Sequence, residues 1–562
     1  MLALPATTRT LLLASLYPFR SLALHDYTPQ VTLAAYATMA SADSDAQTRE
    51  SSSGGKPMLA RHRQNDEAAD IKTQTAARNS YFPLSYKDGV AQWWAGLSPA
   101  VTEHRVLSFI PYLRQPPTQT QTGGKQNGSS MSVDKSDTKE AAPVKTDSED
   151  PYGPRTWHSN LVQLSGKNRF LNEFSVERLN EKTENSLVML HGYGAGLGFY
   201  YKNFESLSRL PHWKLYALDM PGMGRSSRPP FTIKSKDREG KVREAESWFV
   251  DALEEWRVKR GIEKMTLMGH SLGGYMAVCY ALKYPGRLEK LILASPVGIP
   301  EDPYAVSEAM PTEAEANNIA KEFADAETEN LPSHQQSQKS SAAQTPPRRP
   351  YSKWLTTLWD ANISPFSVVR FAGPLGPRLV SGWTSRRFAH LPAEEAQALH
   401  DYSYSLFRQK GSGEYALAYI LAPGAFARSP LIRRIQGVGR QYLAPHSEPS
   451  PDGAAASKEA SAGDVKKVRE TGIPVVFYYG DHDWMDVKGG RDAIERMGEE
   501  KRKALANATD EEKRLENGDV KVRVVKNAGH HVYLDGADEF NKMVAEEMKD
   551  VEVRQKRLAG KR

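Results

Sequence analysis

The run Met265-Thr-Leu-Met268 passes through Gly269-His-Ser-Leu-Gly273 into the helix-prone segment Gly274–Lys283, and no other string constrains the fold as much. Gly-x-Ser-x-Gly between a strand and a helix makes a sharp turn. The glycines let the chain fold back, and the serine hydroxyl is left exposed above a sheet. The N-terminus of the following helix favours negative charge as it develops there. Ser271 is therefore read as a nucleophile. Such a turn needs a parallel sheet around it, and the rest of the chain supplies one. Short apolar runs at Ser186–Leu190, Lys214–Leu218, Lys290–Ala294, Ile473–Tyr479 and Lys521–Val525 alternate with helix-length segments such as 244–259 and 272–284. That alternation predicts an α/β fold built from βαβ units, with a mostly parallel central sheet and flanking helices.

Polar stretches interrupt this pattern, and composition says how much chain is left to fold. Of 562 residues, segments 1–80, 115–150, 301–350 and 441–470 are predicted to be leader or disordered, since most of their length is too poor in aromatics to bury a core. The remainder divides into a Trp-containing amphipathic segment (81–114), the first part of the core (151–300), an aromatic-rich helical cap (351–440) and the second part of the core (471–562). A mean hydropathy of −0.58 and the lack of an apolar run near ~18 residues exclude a polytopic membrane protein. Cys279 is the only cysteine, which excludes an intramolecular disulfide framework and a Cys-based zinc site. No metal or other cofactor is expected. The net charge of +6 allows contact with anionic lipid and argues little for nucleic acid. Residues 1–25 contain no acid and carry Arg9 and Arg20 among Leu, Ala, Ser and Thr, which fits a mitochondrial transit peptide. A secretory signal and an untargeted terminus are the rival readings.

Serine attacks poorly unless a histidine, itself held by a carboxylate, takes its proton. In this architecture the chain order is Ser, acid, His. Strand Lys521–Val525 leads to Asn527-Ala-Gly-His530-His531, which makes His530 the base and His531 its alternate. Strand Ile473–Tyr479 leads to Gly480-Asp-His-Asp-Trp-Met-Asp486. Asp483 is the nearer acid and Asp486 the alternative, while Asp481 reads as a turn residue. The early strand Ser186–Leu190 runs into His191-Gly-Tyr-Gly-Ala-Gly196, and by position the backbone N–H groups of Tyr193 and Leu272 form the oxyanion hole. The spacing of these glycines departs from a dinucleotide fingerprint. Leu218-Asp-Met-Pro-Gly-Met-Gly-Arg-Ser226 reads as a tight turn in the pocket wall.

With these motifs in place, the chain resembles the α/β-hydrolase-domain four/five subfamily, and within it the fungal mitochondrial cardiolipin-specific deacylases. The resemblance rests on Gly269–Gly273 within Gly-His-Ser-Leu-Gly-Gly-Tyr, on Asn362-Ile-Ser-Pro-Phe366, Gly373-Pro-Leu-Gly-Pro377 and Arg386-Arg-Phe388, and on Tyr479–Asp486 and His530–Asp535. It implies an α/β-hydrolase fold with an inserted helical cap. The implied activity is deacylation of a phospholipid, cardiolipin first, at a mitochondrial inner membrane to which the enzyme binds peripherally; cytosol or lipid droplet is the alternative. A coactivator branch of the subfamily lacks the serine that this chain retains. His530-x4-Asp535 also matches a pattern associated with glycerolipid acyltransferases, so acyl-CoA-dependent acylation of lysophosphatidic acid is the second reading. The competing role for Asp535 is to N-cap the last helix. Trp93, Trp94, Phe109, Ile110 and Tyr112 are candidate membrane contacts, with Arg370, Arg378, Arg386 and Arg387 attracting anionic phosphates. The other role for the tryptophans is packing.

Overall fold

A computed structural model describes residues 83–118, 142–146, 149–307, 359, 362–443 and 468–560. The leader, most of the 115–150 linker, most of the 301–350 and 441–470 insertions, and Trp354 lie outside the described residues. A sheet of nine strands organises these residues: β1 (Val144–Lys145), β2 (Arg155–Gln163), β3 (Phe170–Arg178), β4 (Asn185–Leu190), β5 (Trp213–Leu218), β6 (Met265–His270), β7 (Leu288–Ala294), β8 (Pro474–Gly480) and β9 (Asp519–Val525). Their spatial order is β1-β2-β3-β5-β4-β6-β7-β8-β9. β1, β2 and β3 join antiparallel, β3 meets β5 antiparallel, and every pairing from β5 to β9 is parallel.

Successive residues of a strand point to opposite faces, and both faces of this sheet are covered. Leu187 and Met189 of β4, with Val476 and Tyr478 of β8, face a core closed by Phe540, Val544 and Met548. Val188 and Leu190, with Val475, Phe477 and Tyr479, face the opposite core. The C-terminal helix (Ala537–Leu558) closes the first face. On the second lie the helices Arg238–Lys259, Leu272–Lys283 and Val487–Ala506, with Phe249, Met276 and Ala493 in that core. Lys290 of β7 is buried and bonds to Glu547 at 2.8 Å and to Asp550, which pins the C-terminal helix to the sheet.

The register aligns the ends of the parallel strands. His270, Ala294, Tyr478 and Arg523 occupy one rung across β6, β7, β8 and β9, so the loops that follow emerge side by side. Three inserted helices, Pro365–Phe371, Gly376–Arg387 and Ala393–Phe407, lie between β7 and β8 in sequence and over these loops in space. The N-terminal segment 81–114, read as amphipathic, forms two helices. α1 (Tyr86–Ala95) carries both tryptophans and ends at Gly96, whose φ is +61°, and α2 (Pro99–Leu107) follows. Both pack on the inserted helices. Thr102 and Ser405 share a hydrogen bond of 2.8 Å, and Leu84 N–H donates to Ser381 Oγ. Among the described residues no helix is long and apolar enough to cross a membrane.

Candidate active site

Ser271 stands between β6 and the helix Leu272–Lys283 with φ +52° and ψ −115°. A side chain other than glycine pays about 1–3 kcal/mol to hold such a conformation. The surroundings enforce it. Ser271 N–H donates to Ala294 O at 3.0 Å, while Ser271 O accepts from Tyr275 N–H and Val297 N–H. Gly273 lies so close to β4 that a Cβ there would come within 2.5 Å of Leu190 O. The glycine spacing thus packs the turn down onto the strand that feeds the His191 loop.

His530 lies on the loop after β9, and its Nδ1 bonds to Asp483 Oδ1 at 3.1 Å. The Asp483 side chain is fully buried, and the same oxygen accepts Met485 N–H at 3.0 Å. Asp486 does not take this role. It N-caps the helix Val487–Ala506 and accepts Lys488 N–H at 2.8 Å, as an Asp before a helix does. His531 is equally committed elsewhere. Its Nδ1 accepts from Arg387 Nε at 2.9 Å, and burial followed by the Arg387 charge holds its pKa well below the usual histidine range. Asp481 fastens the loop, as its carboxylate takes the backbone N–H groups of Asn527 and Ala528 at 3.0 Å each.

Two residues not singled out in the sequence frame the base. Trp484 sits 4.8 Å, centroid to centroid, from the His530 ring. His270, next to the nucleophile, lies 4.8 Å from the same ring and donates through Nε2 to His530 O at 2.9 Å. Among the described residues Nδ1 has no hydrogen-bond partner, and burial holds the ring's pKa well below its usual value. The x position of Gly-x-Ser-x-Gly therefore ties the Ser271 turn to the His530 loop. Among the described residues no hydrogen bond joins the Ser271 hydroxyl to His530. Such contacts often close only when substrate is bound.

The His191 loop comes in from the other side. A Cβ on Gly192 would lie 3.1 Å from Ser271 Cβ. Tyr193 follows it in the chain, and Leu272 opens the helix beyond the serine. The Tyr193 ring stacks on Phe366 of the inserted helices at 4.9 Å, and Phe366 stacks on Phe407 at 4.4 Å. Asp219 supports the loop from below by accepting Leu197 N–H and Arg225 N–H at 2.7 Å each. The Leu218–Ser226 turn thus holds the loop that follows β4. Asp535 does not cap the last helix, whose N-cap is Gly536; it pairs with Arg387 at 2.9 Å. Arg370 is likewise engaged, with Glu414 at 2.6 Å, so two of the four cap arginines are neutralised by carboxylates. Arg378 lies over the Tyr86 ring at 4.0 Å, and Arg386 is exposed.

A sequence profile of the alpha/beta hydrolase fold matches residues 185–537, which takes in Ser271, Asp483 and His530. The chain belongs to the alpha/beta hydrolase family. This hydrolase is 33% identical over 339 residues to the 1-acylglycerol-3-phosphate O-acyltransferase of Arabidopsis thaliana, with 59% of the chain and 63% of that protein covered. It therefore spans less than two-thirds of the plant relative's length. It is 29% identical over 398 residues to the 1-acylglycerol-3-phosphate O-acyltransferase ABHD5 of Mus musculus, covering 70% and 85%. To the (Lyso)-N-acylphosphatidylethanolamine lipase of Homo sapiens it is 28% identical over 393 residues, covering 69% and 85%. These likenesses agree with the four/five subfamily read from the motifs. Relatives named for acyl transfer and for hydrolysis both occur around this hydrolase.

Proposed function

We propose that this α/β-hydrolase is a serine acyl hydrolase of membrane phospholipids, with cardiolipin its first candidate substrate. The observation that carries the reading is the His530–Asp483 pair, set on the strand ends beside a serine held in a strained strand-to-helix turn. Ser271 Oγ attacks the ester carbonyl and its proton passes to His530 Nε2. The oxyanion is received by the amides of Tyr193 and Leu272. Collapse breaks the ester bond, and His530 returns the proton to the departing lysolipid oxygen. Water then attacks the acyl-enzyme, with His530 as base again, and releases the fatty acid. Asp483 orients His530 and stabilises its charged form.

A second outcome uses the same intermediate. A lysolipid hydroxyl in place of water would yield acyl transfer, and the relatives named as acyltransferases favour keeping this reading. Membrane contact is proposed through the N-terminal helix and its neighbour. Trp94 is 82% exposed, and Phe371, beside the turn that α1 packs against, is 89% exposed. The mitochondrial placement rests on the composition of residues 1–25.

The test follows purified enzyme on cardiolipin-containing vesicles and, separately, on lysophosphatidic acid with acyl-CoA. Fatty acid and monolysocardiolipin released by wild type but not by Ser271→Ala are the expected products. Acylation of lysophosphatidic acid that survives Ser271→Ala would overturn the acyl-enzyme reading, and intact cardiolipin would overturn the substrate.

A further inference from the structure

His530-x4-Asp535 is a motif to which the proposed triad gives no role for its second residue. The two side chains are not partners. His530 Nδ1 faces Asp483, and both oxygens of Asp535 are taken elsewhere. Oδ1 accepts Arg387 Nη2 at 2.9 Å and stands 3.3 Å from His390 Nε2; Oδ2 accepts Gly529 N–H at 3.2 Å. Arg387 donates a second time, through Nε to His531 Nδ1 at 2.9 Å. The last turn of one inserted helix therefore grips the residues on both sides of His530. It holds His531 directly and Gly529 by way of Asp535. Neither charge is a solvated surface group, as the side chains of Arg387 and Asp535 are 13% and 11% exposed.

The loop is held at four consecutive places. Asp481 takes the amides of 527 and 528, Asp535 that of 529, His270 the carbonyl of 530, and Arg387 the ring of 531. The first and third grips come from the sheet. Arg387, which belongs to the helices lying over the strand ends, makes the fourth itself and backs the second through the other oxygen of Asp535. A displacement of those helices would free His531 and leave Asp535 without that support. An error of about 1 Å in a catalytic group costs on the order of 100-fold in rate.

We propose that Arg387 and Asp535 are positioning residues, a clamp through which the inserted helices set the place of His530, and that Asp535 is not the catalytic acid of an acyl transfer. The inference rests on the Ser271–Asp483–His530 reading. Since water and lysolipid both need His530 to deprotonate them, loosening the clamp slows hydrolysis and transfer in the same proportion.

The experiment uses the full chain carrying Asp535→Asn, Arg387→Gln or both. It measures kcat and KM on a soluble short-chain ester, labelling of Ser271 by a fluorophosphonate, and the ratio of transfer to hydrolysis on phospholipid vesicles containing a lysophospholipid. Each single variant is expected to lose about 10- to 100-fold in kcat and in labelling rate. KM should stay within about twofold and the transfer-to-hydrolysis ratio should not change. The double variant should be no worse than the poorer single one, because the pair acts as a unit. Arg387→Lys, which keeps the charge without the fork, should recover part of the loss and carries the test if Asp535→Asn does not fold. Selective loss of transfer in Asp535→Asn would make Asp535 catalytic and overturn the proposal, as would unchanged rates. Hydrogen exchange over residues 526–534 reads the clamp independently of any reaction, and exchange there should be faster in both single variants. Faster exchange together with activity that survives Ser271→Ala would fault the triad and leave the clamp standing.

Discussion

Asp483 and Asp486 are three residues apart, yet their surroundings give them different chemistry. Asp486 begins a helix and satisfies one of its free amides, with its carboxylate in reach of water. Asp483 is buried under His530 and has one oxygen with no hydrogen-bond partner among the described residues. Asp483→Asn is therefore expected to lower kcat by about 10⁴-fold, as loss of an orienting carboxylate does. Asp486→Asn should leave kcat within about twofold, since Asn caps a helix nearly as well as Asp. Steady-state kinetics on a soluble ester checks both, and the opposite ranking would move the acid to Asp486. The turn that holds Ser271 and the loop that holds His530 were legible because turn chemistry and strand order mark them within a few residues. The choice of acid was not marked by spacing. A start signal was present, however, in Asp486 leading the run Val487–Ala506, and reading it as a cap would have removed the competitor. His270 and Arg387 carried no such signal, because their partners lie 260 and 144 residues away.

At the scale of elements, the Trp-containing segment 81–114 divides into two helices, α1 and α2. Gly96 in the left-handed region ends α1, so the two tryptophans and the apolar residues of 106–113 belong to different bodies. Ile110 is buried and Phe109 packs against the core, which removes both from a lipid-facing role. Trp93 is half-buried and Trp94 is exposed. An exposed indole is suited to the interfacial region of a bilayer, where ring edge and ring face meet different environments. Trp94→Ala combined with Phe371→Ala is expected to weaken flotation with anionic vesicles about tenfold or more while hydrolysis of a soluble short-chain ester stays within twofold. Equal loss of both properties would return these side chains to a packing role. The glycine that divides α1 from α2 was visible in the sequence. Its effect on which faces meet lipid depends on packing against Ser381, Asp401 and Ser405, nearly three hundred residues away, and no local pattern encodes that.

Across the whole molecule, one buried cluster joins the N-terminal helices to the body. Glu103 of α2 bonds to Arg225 at 2.6 Å and to Asn172 at 3.0 Å, and Asn172 also reaches Asp219. Glu103 pairs with the Arg225 guanidinium while Asp219 takes the Arg225 backbone N–H, and burial and then the neighbouring Asp219 raise the Glu103 pKa to about 7 against the opposing pull of Arg225. A carboxyl whose pKa is higher folded than unfolded binds more protons in the native state, and its contribution to stability falls as pH rises from about 4.5 to about 7. Glu103→Gln should remove this slope, so that the stability difference between the two proteins changes by about 3 kcal/mol across that window. Thermal melting at pH 5 and pH 7.5 checks it, and parallel curves for the two proteins would show that Glu103 does not titrate there. The parallel sheet was legible from the alternation of runs, whereas this cluster was not, since its members come from four separate segments. The insertion between β7 and β8 has a consequence in time. Some 260 residues separate the nucleophile turn from His530, which at about 5–20 residues per second means roughly 15–50 s of synthesis. For about 180 of those residues β7, with five apolar side chains beside Glu289 and Lys290, is an open sheet edge awaiting β8. A growing chain thus has a serine with no base to activate it and an edge able to pair with other chains, so both the onset of chemistry and the greatest risk of aggregation are set by the ribosome's passage through the insertion.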